Sequence, residues 1–284
     1  MPEYPEVTVV TNALNKLVAT KKIIKVNVKD SKFLHNCSLE EFENFLINKT
    51  ITSVKNIGKF IIFNFDDNSR MFSHLRMAGK YYFCHKKQLP EYDFPHNYLY
   101  FYFQDDTVLI YNDSRTFGSF EIYNANDTRT IYQIKNIALL PKDVDVDQLY
   151  DRLQRKNISI KAALLDQSLV LGIGNIYVDE TLHFEKVYPM TKCNKISKEK
   201  LAQILQTAQR IMDESIKLGG STVNSYKSVN GIDGKYQLKL KAYGRAGLKC
   251  LSCHRYNIIK VKLDFKSNGR GTSYCPNCQK EEDE

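Results

Sequence analysis

Two cysteine pairs near the C-terminus constrain the fold of this chain more than any other feature. Cys250 and Cys253 form one Cys-x-x-Cys pair, and Cys275 and Cys278 form a second pair, with 21 residues between the two pairs. Four thiolates supplied by two such turns suit one tetrahedral zinc ion. Disulfides are the alternative, and they are disfavoured because we expect the chain to be cytoplasmic. Apolar and polar residues alternate between the pairs around a Ser-Asn-Gly turn, so we expect a zinc-pinned β-hairpin.

The first 132 residues or so predict strands preceded by one helix. Val7, Val10, Leu14 and Leu17 recur at steps of three and four, which indicates a helix with one apolar face that begins near Pro5. Short apolar and aromatic runs follow, separated by turns rich in Asp and Asn. This pattern is typical of a β-sandwich or barrel.

Helical patterns replace the strands after about residue 132. The segment from Pro141 to Val146 resembles a linker. A helix is predicted from Ser197, its N-cap, to Leu218, before Gly219-Gly220. A long loop, of the kind that is usually functional, is predicted from Ser221 to Lys241.

The predicted fold class is therefore α+β with several domains. The predicted segments are a β-sandwich domain at 1–132, a linker at 133–148, a helical domain at 149–242, and a zinc finger with an acidic tail at 243–284.

The charge of the chain predicts a polyanionic partner. The net charge of +9 includes four acidic residues at the C-terminus, so the remaining chain is more basic still. Such a surface favours nucleic acid as the partner. The chain shows neither a secretory signal nor a long apolar span, and we therefore expect a cytoplasmic protein.

The N-terminus offers a candidate nucleophile. Removal of Met1 would leave Pro2 as a free secondary amine directly beside the carboxylate of Glu3. A neutral amine that attacks a carbonyl-type carbon forms a Schiff base. Alternatively, Pro2 and Pro5 only stiffen an N-terminal arm.

A turn with two glycines has the composition of a phosphate-binding site. Gly172 and Gly174 precede a predicted helix, where amide groups and the Asn175 side chain could bind phosphate. Lys156 and Lys161 add positive charge upstream of this turn.

Two strand-end loops carry side chains that could fill a gap in the base stack. Met77 lies in one loop, and Arg115 and Phe117 lie in the other. Apolar side chains can wedge between base steps, and Arg can bind an unpaired base. Alternatively, Met77 and Phe117 are ordinary core residues. We expect His74 to be a structural histidine and not a catalytic one.

Together these segments resemble the bacterial formamidopyrimidine-DNA glycosylases over essentially the whole chain. The similarity rests on six motifs: Pro2–Val7, Ile57–Phe60, Ser73–Gly79, Asn112–Gly118, Gly172–Glu180 and Gly269–Cys275. The resemblance implies an N-terminal β-sandwich, a helix–two-turn–helix domain and a zinc finger with one structural zinc. It also implies a monomeric base-excision repair enzyme that acts on damaged double-stranded DNA without a small-molecule cofactor.

The resemblance implies four catalytic residues. Pro2 would attack C1′ of the damaged nucleotide, and Glu3 would act as the general acid–base. Lys59 would stabilise the lesion or the backbone and assist β-elimination. Arg270 would hold the phosphate and assist δ-elimination.

The remaining matched positions would contact DNA: Met77, Arg115 and Phe117 in the vacated space, and His96, Lys156 and Asn175 elsewhere. Arg115 would face the orphaned cytosine, and the loop from Ser221 to Lys241 would cover the extruded oxidised purine.

Two alternatives to a purine-specific glycosylase remain. An endonuclease VIII-like enzyme would excise oxidised pyrimidines by the same chemistry, although Arg115 and Phe117 and the long loop favour purines. A non-catalytic DNA-binding protein would keep the zinc hairpin and form no covalent complex with an abasic site.

Overall fold

The computed structural model describes residues 2–222, 229–231 and 233–280 and divides into two compact units. The first unit contains the described residues up to Arg129 together with those between Leu218 and Lys235. The second contains Thr130–Lys217 and the described residues from Tyr236 onward. None of the helices in the described part of the chain combines the length and apolar character needed to span a bilayer. The finer division at residues 132, 148 and 242 stays a prediction.

The first unit is a β-sandwich with two α-helices among its described residues. Its helices are α1 (Tyr4–Val18) and α2 (Leu39–Leu46), and its strands are β1 (Ile23–Val28), β2 (Ile51–Ile57), β3 (Phe60–Phe65), β4 (Arg70–His74), β5 (Gly79–His85), β6 (Asn97–Phe103), β7 (Thr107–Asp113) and β8 (Ser119–Tyr123). One sheet has the order β1-β6-β7-β5 and the other the order β2-β3-β4-β8, with antiparallel pairing throughout. This architecture confirms the predicted class.

One apolar core joins both sheets to α1. Leu14 of α1, Phe63 of β3 and Phe101 of β6 are each at most 2% exposed and belong to the same buried cluster. Successive strand residues alternate between the two faces of a sheet, so Phe101 and Phe103 of β6 lie in this core, whereas Tyr100 and Tyr102 lie in a separate cluster. The helix predicted from Pro5 begins one residue earlier, at Tyr4.

Helix α2 was not predicted from the sequence. Ser38 begins it with a capping box, in which its hydroxyl accepts from Glu41 N and the Glu41 carboxylate accepts from Ser38 N. Phe42 and Leu46, four residues apart, form its buried face. Only two buried side chains mark this short helix, which is too weak a periodicity to detect in the sequence.

The second unit contains helices followed by a two-stranded hairpin. Its elements are α3 (Ile131–Lys135), α4 (Val146–Gln154), α5 (Ile160–Leu165), α6 (Asn175–Phe184), α7 (Lys198–Lys217), β9 (Ile259–Lys262) and β10 (Gly271–Tyr274). Helix α7 begins directly after Ser197, whose hydroxyl accepts from Lys200 N at 3.2 Å, as the predicted N-cap requires. Strands β9 and β10 pair antiparallel, which gives the predicted hairpin.

A buried ion pair attaches the hairpin to the helices. Lys161 and Asp179 are both fully buried, and Lys161 Nζ lies 2.6 Å from Asp179 Oδ1. Lys161 Nζ also donates to Thr272 Oγ1, and Asp179 Oδ2 accepts from Ser273 N at 2.9 Å. Burial raises the pKa of Asp179 to about 6, whereas Lys161 opposes this shift. The prediction that Lys161 adds surface charge beside the glycine turn is therefore wrong.

We predict that Lys161→Met destabilises the protein by about 3–5 kcal/mol, because it leaves the Asp179 carboxylate buried without its cation. The double variant Lys161→Met/Asp179→Asn should lose less than the sum of the two single variants, since it removes both charges and keeps an acceptor for Ser273 N. Urea unfolding of the four proteins measures this coupling. Additive losses would show that the two side chains do not stabilise each other.

Candidate active site and DNA-contacting loops

Pro2 and Glu3 lie at the N-terminus of α1. Pro2 is buried, and Glu3 is 4% exposed and occupies the N-cap position. The Glu6 carboxylate accepts from Glu3 N at 2.9 Å and, through its second oxygen, from Ser221 N at 2.9 Å. Glu6 therefore fixes the backbone of the N-terminal segment and the first residue of the long loop. Sequence reasoning missed this role, because an acidic residue in a first helical turn is ordinary.

Only part of the loop from Ser221 to Lys241 belongs to the described residues; 223–228 and 232, like Met1, lie outside them. Asn230 attaches its later part to the edge of β5. The Asn230 side chain accepts from Phe83 N at 2.8 Å and donates to Phe83 O at 3.1 Å. Glu6 and Asn230 thus fix two points of this loop to the first unit.

Lys59 lies in the two-residue turn between β2 and β3. Ile57 pairs with Phe60 across the turn, and Gly58 has a φ of +55°, which suits the first position of a tight hairpin loop. The Asn56 side chain donates to Gly58 O at 3.1 Å and so stabilises the turn. Lys59 is consequently half-buried on a rigid support.

A buried carboxylate shapes the loop that carries Arg115 and Phe117. Asp113 is fully buried; its Oδ1 accepts from Arg115 N at 3.0 Å, and its Oδ2 accepts from Phe117 N at 3.1 Å and Gly118 N at 2.9 Å. The Tyr111 hydroxyl donates a hydrogen bond to the same Oδ2 at 3.3 Å. The loop backbone is therefore held from inside the sandwich, and its side chains are directed outward.

The two candidate wedge residues are exposed. Phe117 is 53% exposed and Met77 is 37% exposed, so neither is a core residue. The Arg115 guanidinium carbon lies 5.1 Å from the centre of the Phe117 ring, within cation–π distance. Both candidate wedge side chains are therefore accessible to a binding partner.

His96 is exposed beside this loop, whereas His74 is structural. His96 has a φ of +70°, and its carbonyl accepts from Asp113 N at 3.0 Å. His74 is 7% exposed and packs edge-on against Phe60, and its Nδ1 accepts from Arg76 N at 3.0 Å. The prediction of a structural histidine at position 74 agrees with this burial.

The glycine turn precedes α6, as expected for an anion site. The Gln167 side chain accepts from Gly172 N at 2.9 Å and donates to Ile173 O at 2.9 Å, which fixes the turn. Asn175, half-buried, begins α6 and donates from its side chain to Gly271 O at 3.1 Å. Asn175 therefore also holds the hairpin strand that follows Arg270.

The two remaining cations of the second unit have different surroundings. Arg270 is exposed in the loop of the zinc hairpin, one residue before β10. Lys156 is half-buried, two residues beyond the end of α4.

The four cysteines of the hairpin fit one zinc ion. Their sulfur atoms all lie within 4.8 Å of one another. Zinc–sulfur bonds of about 2.3 Å in a tetrahedron place the sulfurs about 3.8 Å apart. The separations of 3.9 Å between Cys250 and Cys278 and 3.7 Å between Cys253 and Cys275 match this value and are far too long for disulfides. The hairpin thus forms the predicted zinc-finger site.

Two residues of α6 attach the segments that lead to the metal site. The Glu180 carboxylate accepts 2.8 Å hydrogen bonds from three successive backbone amides, those of Lys241, Ala242 and Tyr243. His183 is 2% exposed, and its Nε2 lies 3.3 Å from Cys250 Sγ. Burial raises the pKa of Glu180 and lowers the pKa of His183. Sequence reasoning missed both residues, since nothing in their local pattern distinguishes them.

Known proteins match this architecture along the whole chain. Residues 1–120 match the formamidopyrimidine-DNA glycosylase N-terminal domain, and residues 138–227 match the H2TH domain of the same family. The chain belongs to the formamidopyrimidine-DNA glycosylase family.

Individual relatives support this assignment. A formamidopyrimidine-DNA glycosylase of Mycoplasmopsis pulmonis is 42% identical over 100% of this chain and 99% of its own length. A crystal structure of the Lactococcus lactis enzyme, bound non-covalently to DNA with an AP site, is 34% identical, with a TM-score of 0.86. A structure of MutM with DNA that contains carbocyclic 8-oxo-G is 34% identical, with a TM-score of 0.87. Each match covers 99% of this chain and 100% of the solved chain.

We predict that Asp113→Asn destabilises the first unit by about 1.5–3 kcal/mol, because the amide NH₂ would face backbone N–H donors. Affinity for an abasic-site duplex should fall as well, since the Arg115–Phe117 loop loses its support. Asp105→Asn, in the exposed turn before β7, is the matched control and should cost less than about 1 kcal/mol. Urea unfolding and fluorescence anisotropy test both effects. Equal losses in the two variants would contradict a specific role for Asp113.

Proposed function

We propose that this protein is a base-excision repair enzyme that removes oxidised purines from duplex DNA and then cleaves the strand at the abasic site. The observation that carries the proposal is the position of Pro2 and Glu3, both buried at the first turn of α1. A carboxylate buried next to the amine in sequence is suitably placed to act as an acid–base group. Family membership supports the same chemistry.

The first step would use the amine of Pro2 once Met1 is removed. The partial positive charge at the N-terminus of α1 disfavours a protonated amine, which leaves a lone pair for attack on C1′. The bond from C1′ to the base would break, and a proton would be delivered to the departing base or the opening sugar ring by Glu3. The product would be an iminium between Pro2 and the sugar.

Strand cleavage would follow by elimination. The iminium accepts the electron pair left when a proton departs from C2′, and the 3′ phosphate then leaves. A second elimination would release the 5′ phosphate, and water would free the amine of Pro2. Lys59 and Arg270 would offset the charge on the phosphates and the lesion.

The DNA interface would combine wedges with cations. Met77 and Phe117 would occupy the space left by the extruded nucleotide, and Arg115 would bind the unpaired cytosine. His96, Lys156 and Asn175 would bind the backbone. Because basic side chains supply much of this contact, affinity should decrease steeply with salt.

The finer properties follow from the same proposal. Damaged duplex DNA is the proposed macromolecular partner, the enzyme would act as a monomer, and the chemistry needs no small-molecule cofactor. The zinc would be structural, because four cysteines complete its coordination and leave no open position. The proposed location is the bacterial cytoplasm, where the chromosome lies.

We predict that borohydride traps a covalent complex between this protein and an abasic-site duplex, because it reduces the iminium to a stable amine. Mass spectrometry of the digested complex should locate the adduct on Pro2. A protein that carries an N-terminal extension is the control; it should bind the duplex and yield no adduct.

Two outcomes would contradict this assignment. An adduct that persists in the extended protein would show that a lysine, and not Pro2, is the nucleophile. A duplex that is bound but never trapped by the protein with a free Pro2 would favour a non-catalytic DNA-binding protein.

We also predict that excision of 8-oxoguanine opposite cytosine exceeds excision of thymine glycol by at least about tenfold in kcat/KM, equivalent to about 1.4 kcal/mol of transition-state discrimination. Single-turnover excision from two duplexes that differ only in the lesion measures the ratio. A preference for thymine glycol would assign the protein the specificity of an endonuclease VIII-like enzyme.

A further inference from the structure

A histidine from outside the hairpin contacts one of the four zinc ligands. His183 lies one residue before the end of α6, and its Nε2 is 3.3 Å from Cys250 Sγ. Both residues are inaccessible to solvent: His183 is 2% exposed and Cys250 is fully buried. The Cys250 sulfur also accepts from Ser252 N at 3.4 Å, as is usual within a cysteine turn. The contact from His183 is different, because it comes from the helical part of the unit.

The metal fixes the direction of this hydrogen bond. A cysteine that binds zinc is a thiolate and carries no proton, so its sulfur can only accept. His183 must therefore donate from Nε2, which it can do in either charge state. Water cannot replace this donor at so buried a sulfur, and a buried anion without donors is costly.

We propose that His183 is a positioning residue of the zinc centre, whose Nε2–H group holds the Cys250 thiolate and reduces its reactivity. The hydrogen bond withdraws electron density from the sulfur. Zinc should consequently leave more slowly, and electrophiles should attack Cys250 less readily when the site opens transiently. Partners of this kind, one bond removed from the metal, typically change metal affinity by about 10- to 100-fold.

The same contact connects the metal site with the opposite end of α6. Asn175, at the first turn of this helix, holds Gly271 beside Arg270, and His183, in its last turn, holds Cys250. With Asp179, which accepts from Ser273 N, these residues attach the hairpin region to one helix at three points. Loss of the bond to Cys250 should loosen the metal end first and leave the Asn175 contact in place.

Two substitutions separate hydrogen bonding from packing. His183→Gln retains an amide nitrogen close to the position of Nε2, whereas His183→Phe retains the ring volume and removes the donor. A donor role predicts that Gln is tolerated and Phe is not, and a packing role predicts the reverse. His254→Asn is the control, because His254 is exposed beside Cys253 and has a φ of +55°, which Asn accepts readily.

The experiment uses the full-length zinc-loaded protein. Zinc transfer to a chromogenic chelator gives the release rate, and iodoacetamide labelling followed by peptide mass spectrometry gives the reactivity of Cys250. In cobalt-substituted protein, the thiolate-to-cobalt charge-transfer band reports the electron density on the sulfurs independently of DNA cleavage.

The proposal expects His183→Phe to accelerate zinc release and Cys250 alkylation by about 10- to 100-fold, with a shifted charge-transfer band. His183→Gln and His254→Asn should remain within about threefold of the unsubstituted protein, which corresponds to less than a typical single hydrogen bond. Tolerance of Phe with impairment by Gln would overturn the proposal in favour of packing. Equal behaviour of all four proteins would overturn it as well.

Discussion

The buried ion pair between Lys161 and Asp179 is the interaction on which the second unit depends. Two full charges without solvent contact are stable only if they are well hydrogen-bonded, and Gly271, Thr272 and Ser273 of the hairpin provide bonds beyond the pair itself. Separation of the hairpin from the helices would break these hydrogen bonds to the ion pair. A short two-stranded hairpin is marginal alone, so this attachment, together with zinc, gives the Arg270 loop a fixed base.

In the first unit, single carboxylates hold the irregular segments in place. Asp113 accepts hydrogen bonds from three backbone N–H groups of the loop that carries Arg115 and Phe117. Glu6 joins the N-terminal segment to Ser221. Glu180 does the same for three amides of the second unit. The backbone N–H groups of a loop have no partners from a helix or a sheet. A carboxylate has two acceptor oxygens and can accept from several of these groups at once. The residues with proposed chemistry are thus held by neighbours that never meet the substrate.

The residues with proposed chemistry could be predicted from the sequence, whereas the residues that hold them in place could not. The periodicity of α1 and α7, the zinc hairpin and the exposed candidates such as Phe117 follow from local pattern or from family motifs. Lys161 was wrongly placed on the surface, because a lysine near a glycine turn has no local sign that an aspartate 18 residues later will pair with it. Asp113 and His183 were missed for the same reason: their partners are set by tertiary structure.

Helix α6 illustrates why such residues are difficult to find and yet matter. Its polar residues Asn175, Asp179 and His183 recur every four positions, a spacing that aligns side chains on one helical face. Read as a pattern, that face resembles a solvated surface. In the structure it contacts Gly271, Lys161 and Cys250, so the polar face is an internal one. An apolar face would pack against the hairpin with less directional restraint, whereas hydrogen bonds set both its register and its orientation. The proposed elimination requires cations at defined distances from two phosphates, and Arg270 of the hairpin is proposed to supply one of them. For that role, directional attachment of the hairpin would matter more than additional apolar area.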